Sequence, residues 1–412
     1  MSRLTSQPVL DFEFRKLWAA SAVSNLGDGI GLAAAPLLAA ALSRDPALVA
    51  GLVFAQRLPW FLFSLLSGAL VDRLDRRLVI GSANLFRAFL LGLLGGVVLV
   101  GWANLPLLYA VFFFLGSAET LIDNAALAIL PAIIPHDRLK QANGRLFATQ
   151  TVANELVGPL LGGLLFSITT AIPFLANSGS FAAAALLALL LRGQFRARRP
   201  EGALQSTIWA DIREGMRWFW NHRLLRTLAV MSGAFNFFWA ATAAIFVLVA
   251  QDILGLDDVG FGILLASGAF GGIVGGLTAD RITERLGTGR TIFVTNLLPG
   301  IAYIVIALTT SPLVVGAMFT LVSFSNMVGN VILISLRQSI IPDHLLGRVA
   351  SGYRLFVLGA LPIGALFGGG VAQAFGLTAP YWMGGATLTI MAFVLLRVVN
   401  NRTVAAAQEQ LL

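Results

Sequence analysis

Long apolar runs constrain this chain more than any other feature. Twelve can be drawn, at roughly 17–42, 47–71, 78–102, 105–134, 146–166, 172–191, 224–250, 259–279, 291–310, 312–336, 349–374 and 379–398. Each has the ~20 residues that carry an α-helix across a bilayer, where backbone polar groups must be satisfied inside the helix. Spanning β-strands would read as ~10-residue alternating segments, and these runs do not alternate. Hydrophobic residues are 57% of the chain and charged residues 12%, too little polar surface to cover a soluble fold. The fold class is all-α and integral to a membrane.

The second run ends in Gly68-Ala69-Leu70-Val71-Asp72-Arg73-Leu74-Asp75-Arg76-Arg77, and this plan returns as Gly275-Gly276-Leu277-Thr278-Ala279-Asp280-Arg281. Asp280-Arg281 lies 208 residues after Asp72-Arg73, and Ile340-Ile341-Pro342 lies 207 after Ile133-Ile134-Pro135, each about half of the 412 residues. The chain is expected to be two copies of one six-helix plan: a bundle over 1–191, a linker over 192–223 and a second bundle over 224–412. An even number of spans per copy gives both the same orientation, as in transporters built from parallel repeats. Within the linker, the stretch from Ile208 to Trp220 places Ile208, Ile212, Met216 and Phe219 at helical spacing, and it reads as an interfacial amphipathic helix tethering the bundles.

Lysine and arginine set the orientation, because basic loops stay on the cytoplasmic side during insertion. With both termini inside, 24 of the 28 fall in inner segments, Arg44 lies outside, and Arg57, Arg87 and Arg354 lie within spans. The first apolar run is too long for the core of a signal peptide, so Met1 to Lys16 reads as a retained cytoplasmic tail.

Several chemistries are excluded. There is no cysteine, hence no disulfide or thiolate site, and no Gly-x-x-x-x-Gly-Lys-Ser/Thr loop for an ATP-driven motor. His136, His222 and His344 fall in loops, which argues against an imidazole relay or a metal site within the membrane. The net charge of +8 is scattered between apolar runs, unlike a nucleic-acid-binding patch. No cofactor, metal or enzyme activity is expected.

Apart from Arg354 in the second half, six ionisable residues inside spans remain: Asp28, Arg57, Arg87, Glu119, Asp123 and Glu155, all in the first half. Charges at membrane depth are costly, so each should be paired, face a watery cavity or be held neutral. Glu119 and Asp123 are four apart and share one helix face, where they serve either as a proton- or substrate-binding pair or as partners of Arg57 or Arg87. Asp28, between Gly27 and Gly29, either faces the cavity or caps a distorted helix. Glu155, one turn before Gly158-Pro159, is expected with Asn154 to bond the backbone that the proline frees. Gly158, Pro159, Gly162 and Gly163, with Gly364 to Gly370 and the glycines of the eighth run, allow close helix packing, either at a sliding interface between the halves or as ordinary tight contact without motion. Phe112, Phe113, Phe235, Phe237, Phe238, Trp239 and Phe324 are candidates for an aromatic pocket wall or for lipid-facing packing.

Together these residues resemble the major facilitator superfamily over essentially the full length. Gly68-x-x-x-Asp72-Arg73-x-x-Arg76-Arg77 is similar to its signature loop, and Gly276, Asp280 and Arg281 resemble the degenerate repeat of that loop. The resemblance implies that Asp72 and the arginines after it latch the halves on the cytoplasmic side in the outward-open state, with Gly68 close to the eleventh helix. Asp75 stands where a glycine is usual. Arg57-Leu58-Pro59, the Glu119 to Asn124 stretch and the Asp211 to Trp220 helix resemble the bacterial branch of macrolide-efflux and enterobactin-exporter proteins. Gly158-Pro159-x-x-Gly162-Gly163 is similar to the tail of the antiporter signature, although its upstream glycines are replaced and no arginine accompanies Glu119. Proton coupling follows by analogy alone.

These readings converge on a monomeric secondary transporter of the bacterial inner membrane. It would expel an amphipathic small molecule in exchange for protons, by alternating access, in contact with membrane lipids. A dedicated siderophore or metabolite exporter, an importer, and a non-transporting receptor acting through the basic linker are the alternatives.

Overall fold

A computed structural model describes residues 8–71, 73–193, 195 and 217–396. Among these, 12 helices are long and apolar enough to cross a membrane. They are α1 (Pro8–Leu42), α2 (Pro46–Val71), α3 (Arg76–Leu99), α4 (Leu105–Ile133), α5 (Leu139–Ile168), α6 (Ile172–Leu189), α7 (Arg223–Ala243), α8 (Asp258–Leu286), α9 (Thr288–Leu308), α10 (Pro312–Ile340), α11 (Asp343–Phe375) and α12 (Ala379–Leu396). The fold is the twelve-helix arrangement expected from the apolar runs.

The helix ends follow from local chemistry. Asp75 caps α3 by accepting a bond from the Arg77 N–H at 3.0 Å, so the residue that departs from the signature loop starts the next helix. Asn104 and Asp257 cap α4 and α8 in the same way. His222 caps α7 through Nδ1, and burial holds its imidazole below the ordinary value. Gly287 and Gly376, with φ of 79° and 94°, end α8 and α11 in a conformation that side chains disfavour.

Three helices begin well before their apolar runs; the first starts at Pro8 rather than near 17, so residues 8–16 of the expected tail belong to α1. The fifth starts at Leu139 rather than near 146, and the eleventh at Asp343 rather than near 349. Their first turns carry Lys140, Gln141, Asn143 and Arg145, or Asp343 and His344, and hydropathy does not register helix that projects into water.

Within the first half α3 packs on α6, α2 on α4 and α1 on α5; in the second half the same pairings recur six helices later, α9 on α12, α8 on α10 and α7 on α11. This is the internal two-fold that the sequence offset predicts. The halves meet along two seams, α2 against α11 and α5 against α8.

The two ends of these seams differ. We call the end bearing Arg73, Arg76, Arg77, Arg281 and Arg285 the basic face, and the opposite end the far face. Toward the far face one hydrophobic core runs through both halves, from Leu37, Leu52, Leu94 and Leu108 to Leu248, Phe261, Ala302 and Val315. Toward the basic face there are two cores, one around Val79, Ile129 and Ile133 in the first half and one around Leu228, Ile332 and Val349 in the second. The far face is also clasped by polar bonds: Arg44 Nη1 donates to Gln251 Oε1 at 2.7 Å and lies 3.3 Å from Asp252 Oδ1, and Gln373 Nε2 donates to Asp45 Oδ2 at 2.6 Å. Arg44 and Asp252 are 208 residues apart, the repeat interval itself, so equivalent loops of the two copies hold each other.

At the basic face two arginines of the signature loop bond within their own half. Arg76 donates to the Ala128 carbonyl and Arg77 to the Leu191 carbonyl, both in the first half. Among the described residues nothing lies within 4 Å of where a Cβ on Gly68 would stand. Arg73, Asp280 and Arg281 are exposed. Asp72 lies outside the described residues, as do residues 196–216, and with them most of the expected amphipathic helix. The end of that stretch is described, and Phe219 is buried in the core of the second half with Trp218 against it.

Candidate functional site

On the basic-face side, between α1, α3, α4 and α5, lies a cavity of about 450 Å³. Its walls carry Ser24, Asn25, Asp28, Asn84, Arg87, Glu119, Asp123, Asn143, Gln150 and Asn154 of the first half, and Arg354 of α11. A concave site combining apolar walls with a few converging polar groups is the usual form of a small-molecule site.

Asp28 reaches the cavity because α1 approaches α5 closely: a Cβ on Gly29 would stand 2.8 Å from the Gly158 Cα. α1 is helical through this point, so the cap expected as an alternative for Asp28 is not formed. Asp28 instead pairs with Arg87 of α3. The Arg87 guanidinium, on a residue only 3% exposed, lies 3.8 Å from the centre of the Phe181 ring. Ser24 Oγ donates to Asn84 Oδ1 at 3.3 Å, and Asn84 Nδ2 donates to the Ile80 carbonyl at 3.0 Å. A buried charge is tolerated only when paired and hydrogen-bonded, and this network meets that condition for Asp28 and Arg87.

Glu119 and Asp123 line the same cavity from one face of α4. Neither carboxylate makes a hydrogen bond or an ion pair among the described residues, and Asp123 is exposed to the cavity. The alternative in which Arg57 or Arg87 neutralises them is not realised. Arg87 is committed to Asp28, and Arg57 stands at the α2 seam with its guanidinium 5.8 Å from the centre of the Trp239 ring.

Glu155 differs from its expectation. Thr151–Val157 is a π-helical stretch, in which the Gly158 N–H donates to the Ala153 carbonyl, and this shift in register accommodates the proline. Glu155 forms no bond among the described residues and faces α8, its Oε2 3.8 Å from where a Cβ on Gly272 would stand. Asn154 enters the cavity wall instead. π-Helical turns concentrate at functional sites because they re-aim side chains.

The glycines do pack helices. A Cβ on Gly162 would stand 2.5 Å from the Ile30 carbonyl oxygen, and one on Gly163 3.3 Å from the Gly262 Cα across the α5–α8 seam. Pro159 and Gly158 are both buried, Pro159 against Gly262 of α8 and Gly158 against Gly29 of α1. None of the seven aromatic residues proposed for a pocket wall lines the cavity. They are not exposed either: Phe112 and Phe238 are in the core, and Phe237 packs on Phe367 with ring centres 4.9 Å apart. Phe147 is the aromatic residue on the wall.

Sequence reasoning missed the weight of Arg354 and the amides of α5. Arg354 is an arginine within a span and was visible as such. Asn143, Gln150 and Asn154 recur at spacings of seven and four residues, a helical polar stripe that marks one face toward water.

Residues 5–411 match the family described as transmembrane secretion effector. Among curated relatives, the multidrug efflux pump Tap of Mycolicibacterium fortuitum is 27% identical over 382 residues, covering 88% of this chain and 90% of that protein. The multi-drug resistance efflux pump PmrA of Streptococcus pneumoniae is 27% identical over 380 residues, covering 89% and 90%. Among solved structures, a bacterial homologue of the iron transporter ferroportin in an inward-facing state aligns with a TM-score of 0.71 at 15% identity, over 93% of this chain and 98% of that one. The nucleoside transporter NupG aligns with a TM-score of 0.73 at 12% identity, over 94% and 98%. A family match over nearly the whole chain, on a fold shared with transporters, fixes its class: this is a multi-pass membrane transporter belonging to the transmembrane secretion effector family of the major facilitator superfamily.

Proposed function

We propose that the protein exports amphipathic, drug-like small molecules from a bacterial cytoplasm in exchange for protons, by alternating access. The observation that carries the reading is the Glu119–Asp123 pair: two carboxylates on one helix face, in a cavity, without a protein partner among the described residues. Groups so placed can take up either protons or the cationic part of a substrate, and each excludes the other. Asp28 is then a fixed ion pair that supports α1 and α3 rather than the exchanging site.

The charge distribution supports the direction. Basic loops remain cytoplasmic, so the basic face is the inner one, the membrane is the inner membrane and both termini are cytoplasmic. The cavity then lies on the cytoplasmic side of a closed far face, as a pump collecting substrate from the cell requires. Named multidrug pumps among the relatives support the same reading.

The test is substrate-triggered proton release from everted vesicles with an acid interior. Tetraphenylphosphonium or rhodamine 123 should release protons with the native chain, and release should fall about ten-fold or more with Glu119→Gln or Asp123→Asn. Release unchanged by both substitutions, in protein that is inserted and folded, would refute the assignment of coupling to this pair.

A further inference from the structure

Among the described residues, Arg354 is the one member of the second half on the cavity wall. Arg354 stands near the basic-face end of its apolar span, Gly352–Phe375. Arg354 is exposed, and among the described residues it makes no hydrogen bond or ion pair. Its guanidinium carbon lies 5.4 Å from the centre of the Trp60 ring of α2, and its charge also acts on Asp123 across the cavity without forming an ion pair.

That contact leaves the group competent to bind. An aromatic ring engages the face of a guanidinium and leaves its in-plane N–H donors free, in the fork geometry that matches a carboxylate. Across the same cavity stand Glu119 and Asp123, which accept hydrogen bonds and donate none when ionised. Asp28 and Arg87, the other charged groups of the wall, are paired with each other. The cavity therefore offers, among the described residues, two unpartnered acids on the first half and one unpartnered base on the second.

We propose that the cavity is built for zwitterionic substrates, with the ligand's cationic group on Glu119 and Asp123 and its carboxylate on Arg354. The assignment rests on the transport reading above and adds the charge class of the substrate. A dipolar ligand touches both halves, so its binding energy favours the state in which they approach; a simple cation touches the first half alone. A ligand shifts a conformational equilibrium only through such differential contact.

The test compares two dyes that differ in one group, binding to the purified full-length protein by fluorescence polarisation. Rhodamine 110 carries a free carboxylate and is zwitterionic; rhodamine 123 is its cationic methyl ester. The native chain should bind the zwitterion more tightly. Arg354→Gln should weaken the zwitterion about ten-fold, the scale of a lost charge-assisted bond, and leave the ester unchanged or tighter. Arg354→Lys should recover part of the loss, and Asp123→Asn should weaken both dyes. Equal losses for both dyes with Arg354→Gln, or no native preference for the zwitterion, would overturn the proposal. Arg354-dependent binding of the zwitterion without proton release would leave this proposal standing and remove proton coupling instead.

Discussion

The two ends of the interface between the halves are built on different principles. At the far face a single core crosses from one half to the other, helix backbones meet at glycine and alanine, and the repeat-equivalent loops are bonded through Arg44, Gln251 and Asp252. At the basic face each half closes its own core, and the charged loop that resembles a latch bonds to carbonyls of its own half. Apolar contact at the far face has no polar group to desolvate and favours one fitted packing. The basic face presents hydrated charge, which can part and rejoin at small cost. Ends built so differently suit a transporter whose two ends open in turn.

The contrast meets its most severe challenge at Gly369. A Cβ there would stand 3.0 Å from both the Ala47 Cα and the Pro46 carbonyl oxygen of α2, so Gly369→Leu must push α11 off α2. The closed far face should lose about 3 kcal/mol or more, read as a wider separation between spin labels placed on its loops. Labelling is clean because the chain contains no cysteine. Gly68→Leu is the matched control at the other end, where there is open space. It should leave the melting temperature unchanged, while transport falls if the latch contact implied by the resemblance forms later in the cycle.

A smaller effect, confined to one half, is expected from Asp28→Ala, which strands the Arg87 charge. The cost should be about 2 to 3 kcal/mol, seen as a lower melting temperature with no change in far-face distances. Adding Arg87→Leu should recover much of the loss. If the far face opened as well, the halves would not be the independent bodies that their separate basic-side cores imply.

The smallest effect belongs to Arg44→Ala. Both side chains of its pair with Asp252 are substantially exposed, at 58% and 45%, so the change should shift the balance of states by no more than about 1 kcal/mol. A larger shift in label distances would mean that the clasp, rather than the apolar packing beneath it, holds the far face shut.

Much of the site was legible from residue type, because an ionisable residue in an apolar run has to be explained. Asp28, Arg87, Glu119 and Asp123 all reach the cavity. Their partnerships were not legible. Arg57 and Arg87 were equally available to the α4 carboxylates by type, and the choice follows from α3 lying beside α1 while Arg57 points across the seam toward Trp239. Glu155 was misread for a local reason: the backbone solved the proline problem itself, by a π-helical register shift. The aromatic residues were misplaced because a phenylalanine in an apolar run fits a pocket, a lipid face or a core equally well by hydropathy.

The number of spans, the two-fold repeat and the class of chemistry available could all be read along the chain, since each depends on run length, spacing or residue type within a single helix. Packing between helices chose which face of the interface is closed, which charges are paired, and that Arg354 of the second half shares a cavity with Glu119 and Asp123 of the first. Those outcomes depend on how independent helices are turned toward one another, and hydropathy is blind to rotation about a helix axis when the surrounding residues are apolar on every side.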